Sequence, residues 1–192
     1  RPLVSPCAAD ARPPPVGKGG ERQSAGHADV PSHVRLRIVA TRPTIRRAQT
    51  ADTDTVTRHR DAMFTEMGID AGVVAAASGP ARTWLAAALA DGRYVGLLAE
   101  SGGAVIGGIG ITWLDLPPNM NTQLDRRGYL LNMFVEPVAR SQGVARALLR
   151  AALDECRAQG VDCVSLHASD AGRSLYESSG FSPTNEMRLR LA

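Results

Sequence analysis

The sequence predicts a single α/β domain in which helices are layered on a mixed β-sheet. The first observation is the order of apolar patterns from residue 44 onward, which runs strand, two helices, hairpin, strand, helix, strand, helix, strand. The second is size, because 192 residues with 44% hydrophobic composition can fill one core but not two. The third is the contrast with the N-terminal segment, which lacks such patterns. We therefore place the folded domain at residues 44–192.

Residues 1–43 form a segment rich in proline, glycine and arginine, and we predict that it is disordered. Residues 1–33 alone hold six of the twelve prolines and show no hydrophobic periodicity. Such a segment buries too little apolar surface to offset the conformational entropy that it would lose on ordering.

The first part of the domain is predicted to be a strand followed by two helices. The run "TIRRAQT" alternates as a short strand does, and Asp52 or Asp54 can cap a helix through "TVTRHRDAMFTEMG". Pro80 then begins a second helix, "PARTWLAAALADG", which ends at Gly92. One face of the first helix carries Val56, His59, Arg60, Met63, Phe64 and Met67.

The middle of the domain is predicted to be a hairpin followed by a loop. The apolar runs "RYVGLLAE" and "AVIGGIGITWL" are joined across residues 101–103, whose sequence Ser-Gly-Gly is typical of a hairpin turn. The next stretch, "DLPPNMNTQLDRRG", is polar and contains two prolines. We expect it to be an exposed and mobile loop.

The C-terminal part has the clearest pattern. A strand at residues 129–135 precedes a long helix that ends at Gly160. The run "VDCVSLHA" predicts another strand, "AGRSLYESSG" a short helix that ends at Gly180, and "EMRLRL" a last strand. The apolar face of the long helix consists of Ala145, Leu148, Leu149, Ala152, Leu153 and Cys156. The residues of the last strand that should face inward are Met187, Leu189 and Leu191.

The composition restricts the classes of function. The net charge is +3 and Lys18 is the only lysine, so no concentrated basic stripe suggests a nucleic-acid partner. No apolar run approaches the roughly 18 residues that span a bilayer, and no signal-peptide core is present. The three cysteines form no CxxC pair, which predicts neither a disulfide framework nor a metal site. We expect a soluble cytoplasmic protein in which Cys156 and Cys163 are small buried hydrophobic residues.

The stretch "ARSQGVARALL", residues 139–149, takes the chain from a buried strand into a helix through small residues. A helix N-terminus presents unpaired amide donors at the positive end of the helix dipole, and this arrangement binds anions. Gly143 lets a ligand approach the backbone, and the guanidinium of Arg140 suits phosphate oxygens. The pattern predicts a diphosphate site, with an ordinary tight turn and a surface arginine as the alternative. The motifs GxxxxGK[ST] and GxGxxG are both absent.

Residues 140–145, Arg-Ser-Gln-Gly-Val-Ala, match the R/Q-x-x-G-x-G/A motif of the GNAT superfamily of acyl-coenzyme A-dependent N-acyltransferases. The run "GRSLYESSGF" resembles the A-x-x-L-Y-x-x-x-G-F segment of that superfamily, and "TIRRAQTADTDTVTRHRDAMFTEMG" is similar to the first strand and helix of its small bacterial members. The resemblance covers residues 44–192. It implies a mostly antiparallel sheet of six to seven strands with about four helices, and acetyl-coenzyme A (acetyl-CoA) as the acetyl donor without a metal.

The resemblance also implies roles for individual residues. Tyr176 is implied as the general acid that protonates the departing thiolate, and a bulge around residues 133–135 would free a backbone N–H for the thioester oxygen. Ser169 stands where many members have asparagine, with Gly172 in the place of an alanine, and can donate one hydrogen bond to the pantetheine arm. The residues implied in acetyl-CoA binding are Met133, Phe134, Val135, Arg140, Ser141, Gln142, Gly143, Val144, Ala145, Arg146 and Ser169.

The resemblance implies transfer to a primary amine and leaves the acceptor open. An aminoglycoside-like antibiotic, a polyamine, an amino acid, or a protein N-terminus or lysine are the candidates, and the first would imply antibiotic resistance in a bacterium. An aminoglycoside requires acidic residues in the cleft, for which the sequence offers Glu66, Asp115 and Asp125. The alternatives outside enzymes are a non-catalytic acyl-CoA sensor and the binding of nucleic acid by the arginine-rich N-terminal segment. A homodimer through the last strand or a sheet edge is compatible with the fold.

The sequence also does not identify the general base. Glu66, Asp115, Glu136 and His167 are the candidates, and an ordered water chain is the alternative to all four. The resemblance places the first helix, with His59 and Arg60, along the acceptor cleft. Arg60 there either pairs with a carboxylate of the substrate or extends its guanidinium to solvent from the packed face.

Overall fold

The computed structural model describes residues 42–189, which form a five-stranded sheet covered by four helices. The strands lie side by side in chain order, and all neighbours are antiparallel except the last pair, which is parallel. This arrangement confirms the predicted mixed α/β fold. The strands are β1 (Thr44–Arg47), β2 (Tyr94–Ser101), β3 (Ala104–Asp115), β4 (Arg126–Val135) and β5 (Val164–Leu166). The helices are α1 (Thr53–Glu66), α2 (Ala71–Asp91), α3 (Val144–Ala158) and α4 (Arg173–Glu177). The segment predicted to be disordered, 1–43, lies outside the described residues except for its last two positions.

Helices cover both faces of the sheet. The consecutive residues Leu97 and Leu98 of β2 point to opposite faces, as strand geometry requires, and each is buried in a different apolar cluster. Leu97 packs in the cluster that contains α3, whereas Leu98 packs with Val56 of α1 and Leu85 of α2. The sheet is therefore the middle of three layers.

The second helix is longer than the sequence predicts. We expected it to begin at Pro80, but α2 begins at Ala71, and Pro80 lies in its interior. The Asp70 carboxylate caps the helix by accepting hydrogen bonds from the amides of Gly72 and Val73. The alanine-rich stretch that follows has high helix propensity, and this outweighs the single intrahelical bond that a proline removes. The predicted end at Gly92 is confirmed, and its φ of 80° is left-handed.

The apolar face predicted for the long helix is confirmed in α3. Leu148, Leu149, Ala152 and Cys156 are almost completely buried, and Gly160 follows the helix with a φ of 73°. Burial raises the pKa of the Cys156 thiol to about 11, which leaves it protonated and unreactive at neutral pH. Cys163 is only half-buried and precedes β5 instead of lying within a strand.

The predicted hairpin and bulge are both present. β2 and β3 are joined through Gly102 and Gly103, which have φ angles of 58° and 77°. Between β3 and β4 the register shifts so that residues 132–133 of β4 lie opposite Ile109 alone. Asn132, which begins the bulge, has a left-handed φ of 55°. The bulge thus begins one residue before the predicted position, residues 133–135.

The C-terminal segment differs from the prediction. Residues 181–189 form no strand, so the described part of the chain has five strands instead of six to seven. Met187 and Leu189 are 95% and 81% exposed instead of facing inward, and Leu191 lies outside the described residues. β5 is also shorter than the predicted strand 161–168 because within residues 42–189 it pairs only with β4. No helix in residues 42–189 has the length and apolar character needed to cross a membrane.

Candidate active site

The turn between β4 and α3 presents a row of free backbone amides. After one 3₁₀ turn, Pro137–Ala139, the chain passes through Ser141 and Gly143, whose φ angles of 59° and 79° are left-handed. Within the described residues, the amides of residues 141–146 donate to no backbone or side-chain acceptor, and the first bonded amide of the helix is that of Ala147. These donors surround the positive end of the α3 dipole. Free amides at the positive end of a helix are the arrangement that the predicted diphosphate site requires.

Arg140 joins this turn to the end of α1. Its Nε donates to the carbonyl oxygen of Val135 at 2.9 Å, and its Nη2 donates to Glu66 Oε1 at 2.6 Å. The guanidinium also lies over the Phe134 ring, 5.8 Å from the centroid. Both charged side chains are close to half exposed, so an anion from solvent can reach the guanidinium.

A cavity of about 1390 Å³ lies along this turn. We refer to it as the cofactor channel. Its walls come from the end of α1, the end of β4, the first turn of α3, and α4 with the segment that leads into it. Gln142 does not line the channel, because its side-chain amide turns away and donates to the carbonyl oxygen of Val138. The other residues implied for acetyl-CoA binding all line it: Met133, Phe134, Val135, Arg140, Ser141, Gly143, Val144, Ala145, Arg146 and Ser169.

A second cavity of about 490 Å³ lies between α1, α2 and the bulged part of β4. We refer to it as the acceptor cavity. Its volume suits a small molecule. Its lining includes His167 and two arginines, Arg60 and Arg188, but no aspartate or glutamate of residues 42–189. The residues that line both cavities are Met63, Met67, Met133, Ser169 and Tyr176.

Tyr176 lies where the two cavities meet. It is 9% exposed, and its ring packs edge-on against Phe181 with 5.9 Å between the centroids. Burial raises the pKa of its hydroxyl, so it is protonated at neutral pH. The Ser169 hydroxyl oxygen accepts a hydrogen bond from the Gly172 amide at 3.3 Å, and its own hydrogen can still be donated to a ligand.

His59 and Arg60 occupy different surroundings, although the sequence placed them on one face. Arg60 lines the acceptor cavity. His59 lines neither cavity, is 2% exposed, and packs against the Phe134 ring with 5.0 Å between the centroids. Burial, followed by the charge of Arg58, lowers the pKa of His59 to about 4. His59 is therefore a neutral histidine of the core.

The candidates for the general base are separated by their positions. Glu66 lines the cofactor channel and pairs with Arg140, while Glu136 pairs with Arg58 at 2.7 Å. The Asp115 side chain is 89% exposed at the end of β3 and lines neither cavity. Of the four, only His167 lines the acceptor cavity.

The structure adds acceptor-cavity residues that the sequence did not indicate. Tyr129 and Trp84 line the cavity, and the C-terminal segment contributes Arg188. Tyr129 belongs to a strand that was predicted to be buried, where an aromatic residue is expected to pack in the core. Trp84 lies in the part of α2 that the sequence predicted, without a sign that it faces a cavity, and Arg188 depends on a C-terminal segment that is not a strand.

Comparison with known proteins agrees with this geometry. The model of the acetyltransferase (GNAT) family matches residues 58–181. An uncharacterized N-acetyltransferase of Bacillus subtilis, YhfO, is 36% identical over 105 residues, which are 53% of this chain and 67% of that protein. The mycothiol acetyltransferase of Beutenbergia cavernae is 40% identical over 74 residues, but these are only 37% of this chain and 23% of that protein.

Two solved structures share the fold. A GCN5-related N-acetyltransferase from Ralstonia eutropha superposes with a TM-score of 0.75 and 41% identity, covering 78% of this chain and 98% of that one. A predicted acetyltransferase from Clostridium acetobutylicum, solved with acetyl-CoA, superposes with a TM-score of 0.71 and 27% identity over 78% of this chain and 96% of that one. Because the family model spans more than half of the chain and the fold agrees, the protein belongs to the GNAT family of acetyltransferases.

Proposed function

We propose that the protein transfers the acetyl group of acetyl-CoA directly to a primary amine of a small molecule held in the acceptor cavity. Acetyl-CoA-dependent acetylation follows from membership of the GNAT family. The observation that supports the assignment of the two substrates is the meeting of the two cavities at Met133, Ser169 and Tyr176. One cavity presents free amides to an anionic cofactor, and the other has a volume suited to a small acceptor.

The residues of the cofactor channel fit coenzyme A. The free amides of residues 141–146 match a diphosphate, which needs several donors and gains from the positive end of the α3 dipole. Arg140 can keep its Nε bond to the Val135 carbonyl while its Nη2 exchanges Glu66 for a phosphate oxygen. The pantetheine arm then runs toward the acceptor cavity past residues 133–135, with Ser169 as a hydrogen-bond donor.

The bulge in β4 supplies a donor for the thioester oxygen. Because residues 132–133 oppose a single residue of β3, one amide of this pair is left outside the ladder. The pair lies at the junction of the cavities, since Met133 lines both. A backbone N–H held there stabilises the negative charge that develops on the oxygen as the amine attacks.

Tyr176 completes the transfer as the acid. A lysine-like amine has a pKa of about 10.4 and must lose a proton before it attacks, whereas the departing thiolate, of pKa about 8.5, gains from a nearby proton donor. Burial raises the pKa of Tyr176, which keeps the hydroxyl protonated until the sulfur departs. Its position at the junction of the two cavities supports this role.

The test is an amine panel that follows release of free coenzyme A, run beside calorimetry with acetyl-CoA. Binding of acetyl-CoA together with turnover of small amines supports the proposal. Binding without turnover of any amine would identify an acyl-CoA sensor instead. Turnover of peptide N-termini or lysines in preference to every small amine would identify a protein acetyltransferase.

A further inference from the structure

We propose that the acceptor carries a carboxylate as well as its amine, and that Arg60 binds this carboxylate. The inference rests on the proposed acetyl transfer and names the class of its acceptor. An amino-acid-type molecule with an apolar or aromatic body fits the cavity. A polyamine or an aminoglycoside does not.

The first support is the charge of the acceptor cavity. Both of its charged lining residues, Arg60 and Arg188, are cationic, and no acidic side chain of residues 42–189 lines it. The acidic residues that the sequence offered for an aminoglycoside lie elsewhere: Glu66 in the cofactor channel, and Asp115 and Asp125 outside both cavities. A second ammonium group would lose its hydration here and meet no acidic lining residue, since the nearby Glu186 carboxylate lies behind the lining and is already bonded to His167.

The second support is how Arg60 is held. Its Nη1 donates to Asp61 Oδ1 at 2.6 Å, and Asp61 Oδ2 accepts from the Ser78 hydroxyl of α2 at 2.6 Å. The guanidinium carbon lies 4.8 Å from the centroid of the Phe64 ring. These contacts fix the guanidinium of an arginine whose side chain as a whole is only 19% exposed. Its Nε and Nη2 have no other bonded partner among the described residues, which leaves two donors for a carboxylate.

The third support is the apolar character of the other walls. Arg60 and Phe64 are one turn apart on α1, and Trp84 and Leu85 of α2 face the same cavity. An acceptor whose carboxylate lies at Arg60 therefore places its body against these side chains. Its amine can then point toward Tyr176 at the junction.

The experiment uses amines that differ only by the carboxylate. Phenylalanine is compared with 2-phenylethylamine, and 5-aminopentanoate with butylamine, so that both short and long spacings between amine and carboxylate are covered. We expect the better carboxylate-bearing amine to exceed its partner by about 10- to 100-fold in kcat/KM, as expected for a charge-assisted bidentate contact. Equal or better turnover of the amines without a carboxylate, or of spermidine, would overturn the inference while leaving the acetyl transfer intact.

Variants assign the effect to Arg60. Arg60→Gln should remove most of the preference by raising the KM of the acid, with the amine lacking the carboxylate and acetyl-CoA within about twofold of the wild-type values. Arg82→Gln is the matched control, because Arg82 lies on α2, pairs with the exposed Asp54 and lines neither cavity. Equal loss of preference in both variants, or no loss in Arg60→Gln, would contradict the role of Arg60. If acetyl-CoA binds and no amine turns over, the proposed function itself fails.

A separate cluster in the acceptor cavity leads to a second proposal. Tyr129 and His167 both line the cavity, and the Tyr129 hydroxyl is hydrogen-bonded to His167 Nδ1. On the other side of the imidazole, Nε2 lies 2.8 Å from Glu186 Oε1. The guanidinium of Arg188 lies 3.2 Å from the same Nε2 and 3.8 Å from the Glu186 carboxylate.

We infer that Tyr129, His167 and Glu186 form a relay that removes the proton from the acceptor amine. Of the two contacts at Nε2, the one with Glu186 is shorter than the one with Arg188, so we assign the Nε2 hydrogen to a bond with Glu186. Nδ1 is then the acceptor for the Tyr129 hydroxyl. Glu186 then stabilises the imidazolium that forms. Glu186 is a positioning residue, while Tyr129 meets the amine.

Each proton that the acceptor amine loses during the transfer has a defined destination. The ammonium gives a proton to the Tyr129 oxygen as the Tyr129 hydroxyl proton passes to His167 Nδ1. The freed lone pair forms the C–N bond, and the C–S bond breaks with its electron pair on sulfur, which takes the proton of Tyr176. The second proton of the amine restores Tyr176. His167 is 46% exposed and releases its proton to solvent.

Three variants and a rescue test the relay. His167→Ala should lower kcat by about 10²-fold or more with the acetyl-CoA KM unchanged, as for loss of a general base, and added imidazole should restore part of the rate. Tyr129→Phe should lower kcat similarly, and Glu186→Gln should lower it less and move the rising limb of the pH–kcat/KM profile. The charged and titratable groups around the relay are Arg60, Tyr176, Glu186 and Arg188. No rescue by imidazole together with an unchanged pH profile in Glu186→Gln would contradict the relay and indicate a water-mediated base.

Discussion

Arg140 Nη2 and Glu66 Oε1 lie 2.6 Å apart, and this ion pair joins the end of α1 to the turn that precedes α3. The same guanidinium is held by the Val135 carbonyl through its Nε. The cation proposed to contact the diphosphate is thus already oriented, and one of its donors is shared with a carboxylate. A cofactor that binds here exchanges a protein anion for a ligand anion.

Substitutions of the two partners should act in opposite directions on acetyl-CoA affinity. Arg140→Ala removes a charge-assisted contact, and we expect the dissociation constant to rise by about 10-fold. Glu66→Gln removes the competing negative charge, and we expect affinity to be equal or tighter by up to about fivefold. Calorimetry at fixed ionic strength measures both. Equal weakening in both variants would show that the ion pair acts on the structure of the turn and not on the ligand.

Tyr176→Phe should separate turnover from binding. The ring and its contact with Phe181 remain, but the proton for the departing sulfur is lost. We expect kcat to fall by about 10²-fold while the acetyl-CoA dissociation constant and the melting temperature change little. Steady-state kinetics and calorimetry on the same preparation provide the comparison. Wild-type turnover in this variant would remove Tyr176 from the chemistry.

His59 predicts a pH-dependent stability. Because burial lowers its pKa in the folded state to about 4, below the unfolded value of about 6.5, the unfolded chain binds the proton more readily. The neutral histidine contributes fully above pH 6.5, and its contribution is lost as the pH falls toward 4. The loss amounts to about 3 kcal/mol at most.

His59→Leu tests this assignment. The leucine keeps apolar contact with Phe134 and removes the Nδ1 atom, which has no hydrogen-bond partner among the described residues. We expect a smaller loss of unfolding free energy between pH 7.5 and pH 5 than in the wild type, measured by urea denaturation. An unchanged pH dependence would show that other groups are responsible.

Gly110 should tolerate no side chain next to the bulge. A Cβ at this position would lie 2.1 Å from the Tyr94 hydroxyl oxygen, and Tyr94 is completely buried. Gly110→Ala should therefore destabilise the fold by about 1–3 kcal/mol through overpacking. Gly79→Ala is the control, because a Cβ there meets no atom within 4 Å, and we expect it to stabilise α2 by about 0.5–1 kcal/mol. Denaturation midpoints that rank the two variants in the reverse order would contradict this packing.

Local patterns in the sequence were enough to predict most of the fold. The apolar face of α3, the hairpin at Gly102 and Gly103, and the ends of helices at Gly92 and Gly160 each depend on residues close together in the chain. The cradle of free amides follows from the same local logic, because a strand, small residues and a helix start determine it.

One error has a local cause, and the other errors and omissions have long-range causes. The preference of proline for the first turn of a helix predicted a helix start at Pro80. The Asp70 cap and the alanines after it instead allow α2 to begin nine residues earlier, at Ala71. The alternation in residues 186–191 predicted a strand, yet within residues 42–189 no neighbour pairs with it, and Glu186 and Arg188 contact His167 through their side chains. The Tyr129–His167–Glu186 cluster joins residues from three separate segments, so no local pattern could indicate it.

The central claim is that the backbone amides at the start of α3 bind the diphosphate of acetyl-CoA, and a pair of glycine variants tests it most directly. Gly143 and Gly160 both have left-handed φ angles, 79° and 73°, and at both a Cβ would meet no protein atom within 4 Å. Alanine therefore introduces similar backbone strain at the two positions. Only Gly143 lines the cofactor channel, so only there does the methyl group enter the space proposed for the ligand.

Calorimetry with acetyl-CoA on the wild type, Gly143→Ala and Gly160→Ala gives the answer. We expect saturable binding to the wild type, wild-type affinity in Gly160→Ala, and a dissociation constant at least about 10-fold higher in Gly143→Ala. The absence of binding heat in the wild type, or equal affinity in the two alanine variants, would contradict the claim.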